Sequence, residues 1–158
     1  MNLRIIDLPP TNVAFLRYTG PYGPALGDFW RNTFIPWLQT NHLDGPTCYG
    51  VGLDDPVQTP PEQCRYDACV EVPAGFVGSA SAYAPAQLST LPGGRYAVAE
   101  FRGDTRDIGA AWVKMCSEWV PQQGLQIDAR PCFERYLPGS RTDPETGLFS
   151  CEICVAVR

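Results

Sequence analysis

Ser150-Cys151-Glu152-Ile153-Cys154-Val155-Ala156-Val157 reads as a β-strand, because it is short and rich in β-branched residues. Side chains alternate across a strand, so Cys151, Ile153, Val155 and Val157 share one face. Ser150, Glu152, Cys154 and Ala156 share the other. The first face is apolar core. The second sets one carboxylate among small residues, which implies space beside a charge and hence a cavity for a cationic or polarised ligand.

The pattern has a precedent 85 positions earlier, in Asp67-Ala68-Cys69-Val70-Glu71-Val72. There acid matches acid, Cys matches Cys, and Val matches Val twice. A repeat of this kind governs the whole reading. Leu26, Trp30 and Trp37 reappear 82 positions later as Ile108, Trp112 and Trp119, and Pro46 reappears as Pro131 after 85. Drift of a few positions is what unequal loops produce.

Each half reads strand, strand, helix, strand, strand. In the first half the strands are Arg4 to Leu8, Val13 to Tyr18, Cys48 to Leu53 and Cys64 to Val72. A helix over Ala25 to Asn41 carries Leu26, Phe29, Trp30, Phe34, Trp37 and Leu38 at helical spacing. Pro36 should kink it or end its regular part. Residues 73–85, rich in Ala, Gly and Ser, form the linker. In the second half the strands are Gln87 to Leu91, Tyr96 to Phe101, Cys132 to Leu137 and Phe149 to Val157. A helix over Arg106 to Val120, capped by Asp104 or Thr105, presents Ile108, Trp112, Met115, Cys116 and Trp119. The expected fold class is therefore α+β, a duplicated βαββ unit. It forms one antiparallel sheet with two main helices and pseudo-twofold symmetry. Residues 1–158 make one domain, with half-repeats at about 1–76 and 86–158, and the junction between them is a favoured ligand site.

The formal net charge of −5, with no basic run, argues against direct contact with nucleic acid or an anionic membrane. No apolar run reaches the length of a membrane span. No secretory signal is expected ahead of the first strand, and the seven Cys are an odd number placed largely in strands. Reduced thiols in the cytoplasm are the simplest expectation. Cys151 and Cys154 spell C-x-x-C, but residues three apart in a strand point to opposite faces, so neither a redox nor a zinc site is expected. His42 is the single histidine and lies near a helix end, where a capping role is ordinary. No phosphate loop is present. No metal or cofactor is expected.

Three runs and one tryptophan taken together are similar to the bacterial DNA gyrase inhibitory protein family: Gly93-Gly94-Arg95-Tyr96-Ala97-Val98-Ala99, Trp112, Arg130-Pro131-Cys132-Phe133-Glu134-Arg135-Tyr136-Leu137, and Glu152 to Val157. Arg65-Tyr66-Asp67 and Val70-Glu71-Val72-Pro73 fit the same template. That family lies in a superfamily of effector-binding domains, which includes the sensing domains of multidrug-responsive transcription activators. The resemblance implies the effector-binding fold with a small-molecule pocket between halves. It implies an acid on the final strand facing the ligand, onto which Glu152 falls, and aromatic walls matched best by Trp112 and Tyr136. Cys154 shares the Glu152 face and becomes a wall residue. The activators carry a helix-turn-helix segment ahead of the sensing fold, and none is expected here.

Two function classes follow. The first is a binder of lipophilic or cationic organic compounds, for sensing or sequestration of drugs and toxins, with DNA gyrase or the transcription machinery as a downstream partner. Its ligand-binding residues are Glu152, Trp112, Tyr136, Cys154, Trp30 and Asp67, an aromatic box with an acid that holds cations by stacking and cation–π attraction. Asp67 has a structural alternative, an ion pair with Arg65 or Arg135. The second class is a hydrolase of strained electrophilic compounds, as some stand-alone relatives are. There Glu152 serves as general base and Tyr136 and Trp112 as positioning groups. The binder is the preferred reading.

Overall fold

The computed structural model describes residues 2–76, 86–140 and 142–158. Eight strands, β1 (Leu3–Leu8), β2 (Thr11–Thr19), β3 (Cys48–Gly52), β4 (Arg65–Glu71), β5 (Gln87–Leu91), β6 (Gly94–Gly103), β7 (Phe133–Tyr136) and β8 (Phe149–Ala156), form one sheet. Their order is β1-β6-β8-β7-β3-β4-β2-β5, and every neighbouring pair is antiparallel. The order is the same read from either end once each strand is replaced by its repeat partner, which is the pseudo-twofold symmetry expected from the sequence. The axis passes through the short β3–β7 pair, where Cys48, Tyr49 and Gly50 face Tyr136, Arg135 and Glu134. The linker read over 73–85 falls largely outside the described residues, at 77–85.

The halves exchange their first strands. β1 pairs with β6 of the second half, and β5 pairs with β2 of the first. β1 and β2 thus stand at opposite ends of the sheet, although only Pro9 and Pro10 separate them. Two residues span well under 10 Å or so of extended chain, so the sheet must curl until its ends approach each other. The β5–β6 connection, Pro92 and Gly93, makes the same crossing. The two crossovers touch. A methyl group on Gly93 would lie 2.5 Å from the Leu8 carbonyl oxygen and 2.7 Å from the Pro10 nitrogen, and Gly93 has φ 75°.

Curling gives the sheet two buried faces. One is covered by helices: Leu16, Phe34, Trp37, Tyr66 and Val70 pack in the first half, and Ala99, Met115, Val120, Ile153 and Val155 in the second. The other is closed by the sheet itself, with Tyr49, Tyr96, Val98, Phe133, Cys154 and Ala156 packed together. Full burial of such side chains contributes about 1.5–3 kcal/mol each for the larger ones.

The first helical segment runs Pro24–Phe29, then a π-helical turn Trp30–Phe34, then Ile35–Thr40. The second runs Ile108–Lys114, a π-helical turn Met115–Trp119, and Val120–Gln122. Each π turn stands just ahead of a proline, Pro36 or Pro121. Proline lacks the N–H for the next α-type bond, and its ring crowds the carbonyl four residues back. The wider turn, closed by Ile35 N–H to the Trp30 carbonyl and by Val120 N–H to the Met115 carbonyl, carries the helix past that point. Pro36 therefore does not end the first helix. The second helix begins at Ile108 rather than directly after Asp104. Asp104 caps the preceding turn, where its Oδ1 accepts the backbone N–H groups of Arg106 and Asp107 at 2.8 and 3.2 Å. His42 sits at φ 55° just past the first helix, where Leu43 N–H closes onto the Leu38 carbonyl at 2.8 Å.

Candidate functional site

β7 alternates Phe133 and Arg135 toward the self-closed face and Glu134 and Tyr136 toward the helices. Glu134 thereby lies near the middle of the sheet, within reach of side chains from both helical segments. It is 9% exposed. Three donors converge on it. Trp112 Nε1–H donates to Oε2 at 2.9 Å, Tyr136 O–H to Oε1 at 2.9 Å, and Tyr66 O–H to Oε1 at 3.1 Å. Trp30 Nε1–H donates in turn to the Tyr66 oxygen at 3.2 Å. The two tryptophans that occupy equivalent places in the repeat therefore meet at one acid, one directly and one through a tyrosine. The rings also pack on each other: Trp30 and Tyr136 centroids are 5.2 Å apart, and Trp30 meets Phe34 edge-on at 4.9 Å.

Gly50 makes this meeting sterically feasible. It pairs with Glu134 across β3–β7, and a methyl group there would lie 1.8 Å from the Tyr66 hydroxyl and 2.9 Å from Glu134 Oε1. Its backbone is ordinary extended strand, so the glycine is needed for space and not for conformation.

No ion pair to Glu134 forms among the described residues. Burial raises its pKa above the ordinary glutamate value, and the hydrogen bonds from Trp112, Tyr136 and Tyr66 pull it part of the way back. Burial, and then the Glu134 charge, hold the hydroxyls of Tyr66 and Tyr136 well above their usual range, so both remain donors. The assembly is a sheltered acid without an ion-pair partner among the described residues, walled by flat rings.

Of the residues singled out from sequence, the structure brings together Trp30, Trp112 and Tyr136. It does not bring Glu152, Cys154 or Asp67 to them. Those three lie on the self-closed face. Glu152 is ion-paired with Arg135, whose Nε and terminal nitrogen lie 2.8 and 2.7 Å from Oε1, and with Arg4 through Oε2. Asp67 pairs with Arg17 at 2.8 and 3.0 Å, and not with Arg65 or Arg135. Cys154 is fully buried. Cys154 and Ala156, the small residues beyond Glu152 on its face, are packed into the core that the curl of the sheet encloses. Tyr136 finds its carboxylate two residues back on its own strand, at Glu134, although β8 with Glu152 is the neighbouring strand. Glu134 and Tyr66 lie in the stretches Arg130 to Leu137 and Arg65 to Asp67, and the sequence signal for the acid is Glu-x-Tyr on one strand face.

All seven cysteines are free. Burial pushes the Cys48 and Cys154 thiols up to about 12, which starves them of reactive thiolate. Thiol titration of freshly purified protein should be slow in the native state and should reach all seven in denaturant without reductant. Four or fewer would contradict reduced thiols.

Comparison with known proteins fits this architecture. A DNA gyrase inhibitor from Cronobacter sakazakii is 36% identical over 143 residues, covering 90% of each chain. The structure of SAV2435 bound to tetraphenylphosphonium superposes with TM-score 0.61 at 20% identity, covering 100% of this chain and 94% of that one. A hydrolase from Listeria innocua superposes with TM-score 0.62 at 12% identity, covering 99% and 91%. These last two likenesses establish the fold alone. The model of the GyrI-like small-molecule-binding domain matches residues 1–158, and the chain, with its exchanged strands and paired helices, belongs to that GyrI-like family.

Proposed function

We propose that the protein binds lipophilic organic cations against Glu134, with Trp30, Trp112 and Tyr136 as the stacking walls. One observation carries the reading: a nearly inaccessible carboxylate has three hydrogen-bond donors around it and, among the described residues, no basic side chain to neutralise it. A delocalised cation supplies the missing charge and stacks on indole and phenol faces. Such contacts are weakly directional, which suits a range of ligands. Glu134 is too buried for a ligand to reach it past the rings as they stand, so binding requires Trp30 or Trp112 to swing aside. Trp30 opens the first π-helical turn, where the helix is less tightly bonded, and Trp112 lies three residues ahead of the second. The ligand carried by SAV2435, a lipophilic cation, is of this class. Sequestration or signalling would follow from binding, with gyrase as the partner that the Cronobacter relative's name points to. The cytoplasm suits seven free thiols.

A second reading draws on the raised pKa of Glu134 and its bond to Tyr136. An acid poised above its ordinary range can act as general base on water, with Tyr136 orienting the substrate. Incubation followed by mass analysis separates the two. A binder returns tetraphenylphosphonium and electrophilic test esters or epoxides unchanged. Stoichiometry-exceeding hydrolysis that disappears in Glu134→Gln would establish the enzyme and overturn simple binding. No helix among the described residues is long and apolar enough to cross a membrane.

A further inference from the structure

A cavity of about 160 Å³ opens on the face of the sheet opposite Glu134, beneath the two proline crossovers. Its polar lining includes Tyr49, Thr47, Glu71 and Arg135, and its apolar lining includes Leu91 and Phe133. The charges are unequal in availability. Arg135 is already held by Glu152 at 2.7 and 2.8 Å. Glu71 forms no ion pair among the described residues. Tyr49 is 6% exposed, and its ring is fixed edge-on against Phe133 at 5.3 Å. Burial, and then the Glu71 charge, push its hydroxyl up to about 12, so it stays protonated beside that carboxylate.

We infer that this cavity is a separate binding site for a compact protonated amine. The ammonium sits against Glu71, hydroxyls of Tyr49 and Thr47 accept its remaining N–H groups, and the carbon part lies on Leu91 and Phe133. Size sets the class. A cavity near this volume takes a molecule of benzene's bulk, which excludes a tetraaryl cation and admits an alkylammonium ion. The site therefore differs from the Glu134 site in ligand, in face and in recognition, and it stands whether or not that site binds cations. β7 separates the two, with Glu134 toward one and Phe133 and Arg135 toward the other.

The test is a titration of the isotopically labelled protein with ethylammonium chloride, followed by backbone amide shifts of Thr47, Tyr49 and Glu71. Sodium chloride and tetramethylammonium chloride at equal ionic strength are run in parallel. Saturable shifts with ethylammonium are expected, with affinity about fivefold lower in Glu71→Gln, because Glu71 is solvent-exposed and its ion pair is partly screened. Glu134→Gln should leave them unchanged. Shifts that fail to saturate, or that sodium chloride reproduces, would overturn the site. Equal saturation by tetramethylammonium, which offers no N–H, would overturn the amine assignment, and so would indifference to Glu71→Gln.

Discussion

Gly93→Ala is expected to lower stability by roughly 3 kcal/mol or more, because two costs coincide. The residue has φ 75°, where a side chain is strained, and the added carbon meets backbone at 2.5–2.7 Å from Leu8, Pro9 and Pro10. The obstacle is the other crossover and cannot rotate away as a side chain would. Relief requires the crossovers to separate, and that uncurls the sheet and exposes Tyr96 and Val98. For a chain of this length each kcal/mol shifts the melting temperature by about 2–4 °C. Gly139→Ala is the control, since Gly139 has φ 86° but nothing within 4 Å of the new carbon. It should cost strain alone, about 1 kcal/mol. Calorimetry on both variants checks the pair; equal melting temperatures would mean that the crossovers do not hold the curl.

The second large effect concerns Glu134 in the empty protein. Its folded-state pKa lies above the unfolded value. A carboxyl of that kind adds stability that is fully present below the unfolded pKa and fades as pH rises through the folded one. At neutral pH the buried charge is therefore a cost of about 1.4 kcal/mol for each unit of upward shift. Glutamine removes the charge and still serves the network: its oxygen accepts from Trp112, and its amide donates to the oxygens of Tyr66 and Tyr136, whose hydroxyls can turn. Glu134→Gln should thus melt at or above wild type near neutrality, and its advantage should shrink in acid. Asp54, Asp104, Asp128 and Asp143, all held below their ordinary values by hydrogen bonds, are common to both proteins and cancel in the difference. A difference that grows in acid would contradict the burial of an uncompensated charge.

The repeat made the fold legible. Trp30 and Trp112 correspond in the sequence repeat and both reach the Glu134 network, and the Cys151, Ile153, Val155 face of β8 does lie under a helix. The curl was not legible. It depends on which half each first strand joins, and Pro9-Pro10 reads equally well as a hairpin between neighbours. Without the curl, the Glu152 face looks open and becomes the natural pocket wall. With it, Cys154 and Ala156 are core and Glu152 is an ion-pair partner at the edge of that core. Glu134 was hidden for a different reason. In Phe133-Glu134-Arg135-Tyr136 two adjacent charges are flanked by two aromatics, and a four-residue strand does not reveal which charge faces the helices. Gly50, read only as part of a strand, gives the place away in hindsight, because a glycine opposite Glu134 makes room for a third aromatic.

The central claim is that Glu134, and not Glu152, reads the charge of the ligand. Isothermal titration of wild type, Glu134→Gln and Glu152→Gln with tetraphenylphosphonium and with the neutral triphenylphosphine oxide tests it directly. Loss of a charge-assisted contact in a sheltered site is worth about 1.5–3 kcal/mol, or about one to two decades of affinity. The account predicts that loss for the cation in Glu134→Gln, little change for the neutral ligand, and little change for either ligand in Glu152→Gln. Cation binding that survives Glu134→Gln and fails in Glu152→Gln would contradict it and move the pocket to the other face of the sheet.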